Sequence, residues 1–328
     1  MTGGSTIRSF RKEGIDIRKI ALFTLALLLA LAHSSWAMEG PFDIKAATLI
    51  GFDDNPRLDS SRDEDGFAEE TVSVSFKDRP SDYLTMRASY DLINVNYFDV
   101  TEEDVLLQEA GAGLDFWLMP TTAIQTDYNF THLYMPDDEL VTSFKHGGRA
   151  GLYHEASDTV TLWSGFTVTT KDYDDRKTRE AEGTLSDAEE RNDVRTITDS
   201  VIRVKVSKDL RLYLGFIYYR NDSDDQFHDY YDYEAYKVFT KAYLKLLPKL
   251  SAALKFSYET RDYDSRPLFD DPAVTEESDL YVATGGLYYK LLKNITLGFI
   301  YTYRQKNSNE PSQKYSSSVS TVGLYYSF

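Results

Sequence analysis

Four histidines beyond residue 37, His132, His146, His154 and His228, are the natural candidates for a general base near neutral pH. Hydrolytic chemistry would need one of them within hydrogen-bond reach of a carboxylate and a nucleophile or activated water. His228, close in sequence to Asp224, Asp225 and Asp229, makes the best such cluster. Its setting is a polar, acidic stretch, where a solvated loop histidine is the plainer reading. His132 falls near the end of a segment, and His146 and His154 share the apolar parity of another. No Gly-x-Ser-x-Gly elbow and no His-Glu-x-x-His pair occurs. Cysteine is absent, which removes thiol nucleophiles, thiolate metal sites, iron–sulfur clusters and disulfides. The residues point away from an enzyme and imply no cofactor.

Carboxylates are the other abundant chemistry. Asp53-Asp54, Asp63-Glu64-Asp65-Gly66, Asp137-Asp138-Glu139, Asp222-Ser223-Asp224-Asp225 and Asp270-Asp271 offer hard oxygen ligands for divalent cations. None has the ordered spacing of a dedicated calcium loop, so no metal site is expected. Weak, shared binding of cations is the better use.

These groups must be held by elements, and the elements are read from composition and period. The chain has 328 residues and a formal charge of −17, with 42% apolar residues, 25 Tyr, 18 Phe and 3 Trp. That composition is too polar for a helical membrane protein. Basic residues Arg8, Arg11, Lys12, Arg18 and Lys19 precede an uncharged apolar run from Ile20 to Ala32, with small residues at Ser35 and Ala37. This pattern predicts a secretory signal over 1–37 cleaved after Ala37. The apolar run is too short for a transmembrane helix, which needs about 20 residues. Removing that segment leaves the remainder at −20. A charge of that size excludes nucleic acid as a partner of the whole molecule.

From Phe42 to the end apolar residues recur at every second position, the period of a strand. Leu210, Leu212, Leu214, Phe216 and Tyr218 alternate with Arg211, Tyr213, Gly215 and Tyr219. Leu250, Ala252, Leu254, Phe256 and Tyr258 alternate with Ser251, Ala253, Lys255 and Glu259. About fourteen such segments are legible, joined alternately by short turns and by long acidic connections. Strands of roughly ten residues or more, even in number, with that alternation of connections, predict an all-β fold. The expected architecture is a transmembrane, antiparallel, up-and-down β-barrel over 38–328, because closure alone leaves no unpaired backbone edge in lipid. A secreted β-sandwich or β-solenoid would alternate too, with shorter strands.

The last segment places Val322, Leu324, Tyr326 and Phe328 on one parity. It resembles the terminal signature by which outer-membrane barrels are recognised, which implies the barrel-assembly machinery as a partner, with Tyr326 and Phe328 as the signal. Two further stretches carry a family resemblance. Ala46-Ala47-Thr48-Leu49-Ile50 runs into Gly51-Phe52-Asp53-Asp54-Asn55-Pro56, and Leu247-Pro248-Lys249-Leu250 precedes Phe256-Ser257-Tyr258-Glu259-Thr260-Arg261-Asp262-Tyr263-Asp264. The chain is similar to the β-barrel porin type 2 family, several members of which sit in exopolysaccharide export systems. The resemblance implies an outer-membrane pore in a Gram-negative bacterium, among outer-membrane lipids and lipopolysaccharide, with a polysaccharide export complex as a further partner.

Charge is divided between the two kinds of segment. The long connections sum to −26, so strands and short turns carry about +6. If the oily face meets lipid, the opposite face turns Arg87, Lys145, Arg149, Lys171, Arg203, Lys205, Arg211, Lys237, Lys241, Lys255 and Arg304 inward. Asp91, Glu109, Asp115, Asp127 and Glu259 are the acidic residues of the same parity. Tyr153, Trp163, Tyr213, Tyr219, Tyr288 and Tyr325 join them as surfaces on which a sugar could stack. The expectation is a basic, Tyr-lined lumen beneath an acidic collar, lowering the barrier to anions. The plainer alternative is that inward charges pair with one another in a plugged barrel that serves as an anchor or adhesin. The longest connection, Asp172 to Asp193, is expected to be a solvated loop.

Overall fold

The computed structural model describes residues 40–59, 63–138, 140–180, 184–227 and 229–328, with side chains at 187–189 left aside. The stretch 1–37 expected to be a secretory signal, with Ala37 as its expected cleavage residue, lies outside the described residues, as does His228. Among the described residues no helix is long and apolar enough to cross a membrane.

Fourteen antiparallel strands form one closed barrel. They are β1 (Phe42–Asp53), β2 (Asp65–Ser81), β3 (Leu84–Tyr97), β4 (Val105–Met119), β5 (Thr122–Tyr134), β6 (Ser143–Glu155) and β7 (Val160–Arg179). They continue with β8 (Leu185–Lys205), β9 (Leu210–Ser223), β10 (Tyr233–Leu247), β11 (Leu250–Pro267), β12 (Thr275–Lys290), β13 (Ile295–Ser308) and β14 (Tyr315–Ser327). Every strand pairs with its sequence neighbours, so the topology is up-and-down throughout. The sheet closes by pairing β1 with β14 from Lys45 opposite Ser327 to Asp53 opposite Val319. Asp53 fixes that seam at its upper end, its carboxylate accepting from Ser317 Oγ at 3.0 Å. Closure leaves no strand edge whose N–H and C=O groups lack a ladder partner.

Period two explains which face is which. Ile50, Leu214, Leu254 and Val322 stand more than half exposed on the outside of the cylinder. Water would penalise such a surface at about 25 cal/mol per Å², so this face requires an apolar surrounding. The alternate residues point into the barrel.

One expectation is corrected. The segment Asp172–Asp193 is largely strand, because β7 and β8 run on for 20 and 21 residues with irregular pairing beyond Asp172. At about 3.3 Å per residue each exceeds 60 Å, more than an apolar band requires. The hairpin therefore projects beyond the band at the long-loop end. Acidic and basic residues there pair across the hairpin, as Lys177 does with Glu190 at 3.1 Å, and the charge does not force the chain into solution as a loop.

Candidate functional site: the interior wall

Three kinds of surface line the barrel interior. The first is self-neutralised. Arg87 on β3 meets Asp115 at 2.7 Å and Asp127 at 2.9 Å, and Arg149 on β6 meets Asp199 on β8 at 2.9 Å and Asp127 at 3.9 Å. Charges thus alternate along Asp115, Arg87, Asp127, Arg149 and Asp199. Glycine makes room for the ladder: a Cβ on Gly165 would lie 2.4 Å from the Arg149 guanidinium. These residues fill and brace one side of the interior.

The second surface lies toward the long-loop end, where Arg and Tyr side chains stack. Arg191 is buried, ion-paired to Asp193 at 2.6 Å and covered by the Tyr231 ring at 3.4 Å, with Tyr173 at 4.8 Å. Arg179 binds Asp225 at 3.2 Å and lies 4.5 Å from the Tyr230 ring. Tyr230 and Tyr231 belong to the β9–β10 connection, so that loop folds onto side chains of the wall. Deeper, Glu259 accepts from Tyr219 Oη at 2.6 Å and pairs with Lys237 at 3.1 Å and Arg261 at 3.0 Å. Tyr219, Tyr233, Ala235 and Tyr263 form a buried cluster around this network. Tyr219 and Lys237 are thereby engaged within the protein. Burial pushes the carboxyl of Asp232, at the end of the same loop, up to about 6, with Asp222, Asp229 and Asp264 adding to the rise.

The third surface is basic and lies near the short-turn end. Strand register sets like charges face to face: Lys205 opposite Arg211 across β8–β9, and Lys241 opposite Lys255 across β10–β11. Lys241 also faces Tyr213, and Tyr213 faces Arg203. Higher on the wall Lys145 faces Lys171 across β6–β7. Among the described residues none of these cations forms an ion pair with a carboxylate, and neither does Arg304. Aromatic rings hold several of them. Arg203 lies 5.3 Å from the Trp163 ring, Arg211 5.8 Å from Tyr243, and Lys241 5.2 Å from Phe239.

Rings also meet one another along this end, Trp117 with Tyr153, Tyr153 with Trp163, Tyr213 with Tyr243, and Tyr288 with Tyr325, all edge-on between 5.5 and 5.8 Å. Arg304 and Tyr325 line a cavity of about 800 Å³ on the β13–β2 side of the interior, together with Glu69 and Tyr97. Guanidinium, ammonium and aromatic faces in one collar can bind carboxylate or phosphate oxygens and stack against sugar rings.

Sequence reasoning left out Asp199, Arg195, Arg261, Trp117 and Tyr243. Asp199 and Arg195 share the parity of Arg203 on β8, so period two would have found them. Tyr230 and Tyr231 lie in a connection, where no period operates. At the strand end, Tyr326 pairs with Ala46 and Ile295 on the outer face, and Phe328 follows β14. His146 and His132 also stand on the outer face, against Tyr128 at 2.6 Å and stacked on Phe144 respectively.

No protein-family model matches the chain, and no curated protein matches it. Solved structures do. OmpT, an outer membrane protein of Vibrio cholerae, aligns with 88% of this chain and 97% of its own at 9% identity and a TM-score of 0.52. The outer membrane channel DcaP of Acinetobacter baumannii aligns with 88% of this chain and 96% of its own at 11% identity and a TM-score of 0.52. The chain therefore has the fold of the outer-membrane β-barrels.

Proposed function

We propose that this protein is an outer-membrane channel of a Gram-negative bacterium, exported by its N-terminal signal and inserted by the barrel-assembly machinery through its terminal strand. It passes small polar or anionic solutes, or a strand of acidic polysaccharide, along a basic lumen lined by Tyr and Trp. The observation that carries this reading is the facing of Lys241 with Lys255 and of Lys205 with Arg211 without a carboxylate between them. Like charges directly opposite in a sheet destabilise it, so a wall that keeps them gains most when a mobile anion sits between. The arrangement lowers the entry barrier for anions and requires no catalytic group. A DcaP-like barrel described as a channel has the same fold, and the resemblance to the β-barrel porin type 2 family points the same way.

A second reading has its own observation. Tyr230 and Tyr231 of the β9–β10 connection lie on Arg179 and Arg191 of the wall at the long-loop end, which favours a barrel that is closed until a partner, such as a polysaccharide export complex, moves the loop. A permanently plugged barrel would instead be an anchor or adhesin. Conductance separates these readings: the purified protein in a planar bilayer carries steps of current if it is a channel, gains them when Tyr231 is replaced by Ala if it is gated, and stays silent in both forms if it is plugged.

A further inference from the structure

One transverse row of the wall sorts its charges in a way that neutralisation does not explain. Asp91, Glu109, Thr131, Lys145, Lys171 and Asp193 face one another in that order from β3 to β8. Two carboxylates stand side by side, then a hydroxyl, then two ammonium groups. Cross-strand like pairs are unfavourable, and the Arg87–Asp127–Arg149 ladder lower on the same strands alternates its signs instead. The terminal carboxylate of the row, Asp193, faces Lys171 but is bound by Arg191 at 2.6 Å and accepts from Tyr173 Oη at 3.4 Å, so it is shared rather than committed to the lysines. Lys171 lies instead over the Tyr173 ring at 4.1 Å. Among the described residues no ion pair joins Lys145 or Lys171 to a carboxylate, while Asp91 accepts only from Ser73 Oγ and Glu109 from Thr131 Oγ1 at 3.5 Å.

Two adjoining cavities of about 300 and 340 Å³ open over this row and share Glu109, Thr131, Lys145 and Thr169. The first reaches Asp91, the second Lys171, Asp193 and Arg195, so the cationic end keeps an excess of positive groups. Negative and positive ends are about two strand spacings, roughly 10 Å, apart at the backbone. A simple anion would be drawn to one end and repelled by the other, and a simple cation the reverse. A solute with both charges satisfies both ends.

We infer that this row is a lumenal recognition site for small zwitterionic solutes, amino acids or short peptides, with the ammonium end on Asp91 and Glu109 and the carboxylate end on Lys145 and Lys171. The inference rests on the channel reading and narrows its cargo. Swelling of proteoliposomes containing the full barrel tests it with two isomers, zwitterionic β-alanine and uncharged lactamide. Wild-type protein admits β-alanine faster by roughly fivefold, the yield of two partly exposed ionic contacts. Lys145→Gln with Lys171→Gln brings the ratio to one with lactamide entry unchanged, and Asp91→Asn with Glu109→Gln does so from the opposite pole, so either pair serves if the other fails to fold. Equal entry of the isomers into wild-type vesicles, or a preference that survives both pairs, overturns the inference alone. Entry of neither isomer overturns the channel reading and this inference with it.

Discussion

Lys241 on β10 and Lys255 on β11 are direct cross-strand partners on the interior face, in a row that continues through Tyr213 to Arg203. Such a pair opposes folding and favours an anion. Lys255→Glu turns it into an attractive pair, which should stabilise the barrel by about 0.5–1 kcal/mol. The same change should lower the anion-to-cation permeability ratio several-fold. Urea unfolding in detergent and bilayer selectivity, measured on one preparation, check the two opposite signs.

Asp127 sits between Arg87 and Arg149, at 2.9 and 3.9 Å. Asp127→Asn leaves two half-buried guanidinium groups facing each other with less neutralisation. The loss should be about 1–3 kcal/mol, below the value for a fully buried pair because water reaches these side chains. The urea midpoint should fall, and anion selectivity should rise.

Gly215 on β9 is covered by the Phe239 ring of β10, which a Cβ would approach to 2.2 Å. Gly215→Val must push that ring aside, and the ring lies beside the Lys241 ammonium. A destabilisation of about 1–3 kcal/mol is expected, with a smaller loss for Gly215→Ala. A wild-type midpoint for the Val variant would contradict the packing described.

Asp232 receives the Ser223 N–H at 2.7 Å, yet burial holds its carboxyl pKa up to about 6. The unfolded value lies near 4. Because the folded value is the higher one, the stabilisation from protonation is complete below about pH 4 and disappears as pH rises through about 6. The β9–β10 loop should therefore exchange its amide hydrogens more slowly at pH 5 than at pH 7 after correction for intrinsic chemistry. Asp232→Asn should abolish the difference, since its side-chain oxygen still accepts from Ser223.

The sequence carried the strands far better than the site. Period two along Leu210–Tyr219 or Leu250–Glu259 reports which side of a sheet meets an oily surrounding, and the same parity places Lys241, Lys255, Arg203 and Lys205 on the opposite side. It does not report register. That Lys145 faces Lys171, or that Asp127 falls between two arginines, depends on turn lengths and bulges such as the shift at Lys245/Leu247, which shape which residues meet. The β7–β8 extension was hidden for a related reason. Its charges predict a solvated loop, whereas Arg176, Arg179 and Arg191 are absorbed by Tyr173, Tyr230 and Tyr231, contacts between elements that no local pattern announces. Tyr219 illustrates the limit on single residues, since its inward parity is plain but its burial against Glu259 is not.

The most direct test is the zero-current potential of the wild-type protein in a planar bilayer separating two concentrations of potassium chloride. A basic interior whose facing lysines lack carboxylates should give a potential of the sign set by chloride, and the Lys241→Glu, Lys255→Glu double variant should move it toward potassium. A potential set by potassium in the wild type, or no current at all from a correctly folded barrel, would contradict the account.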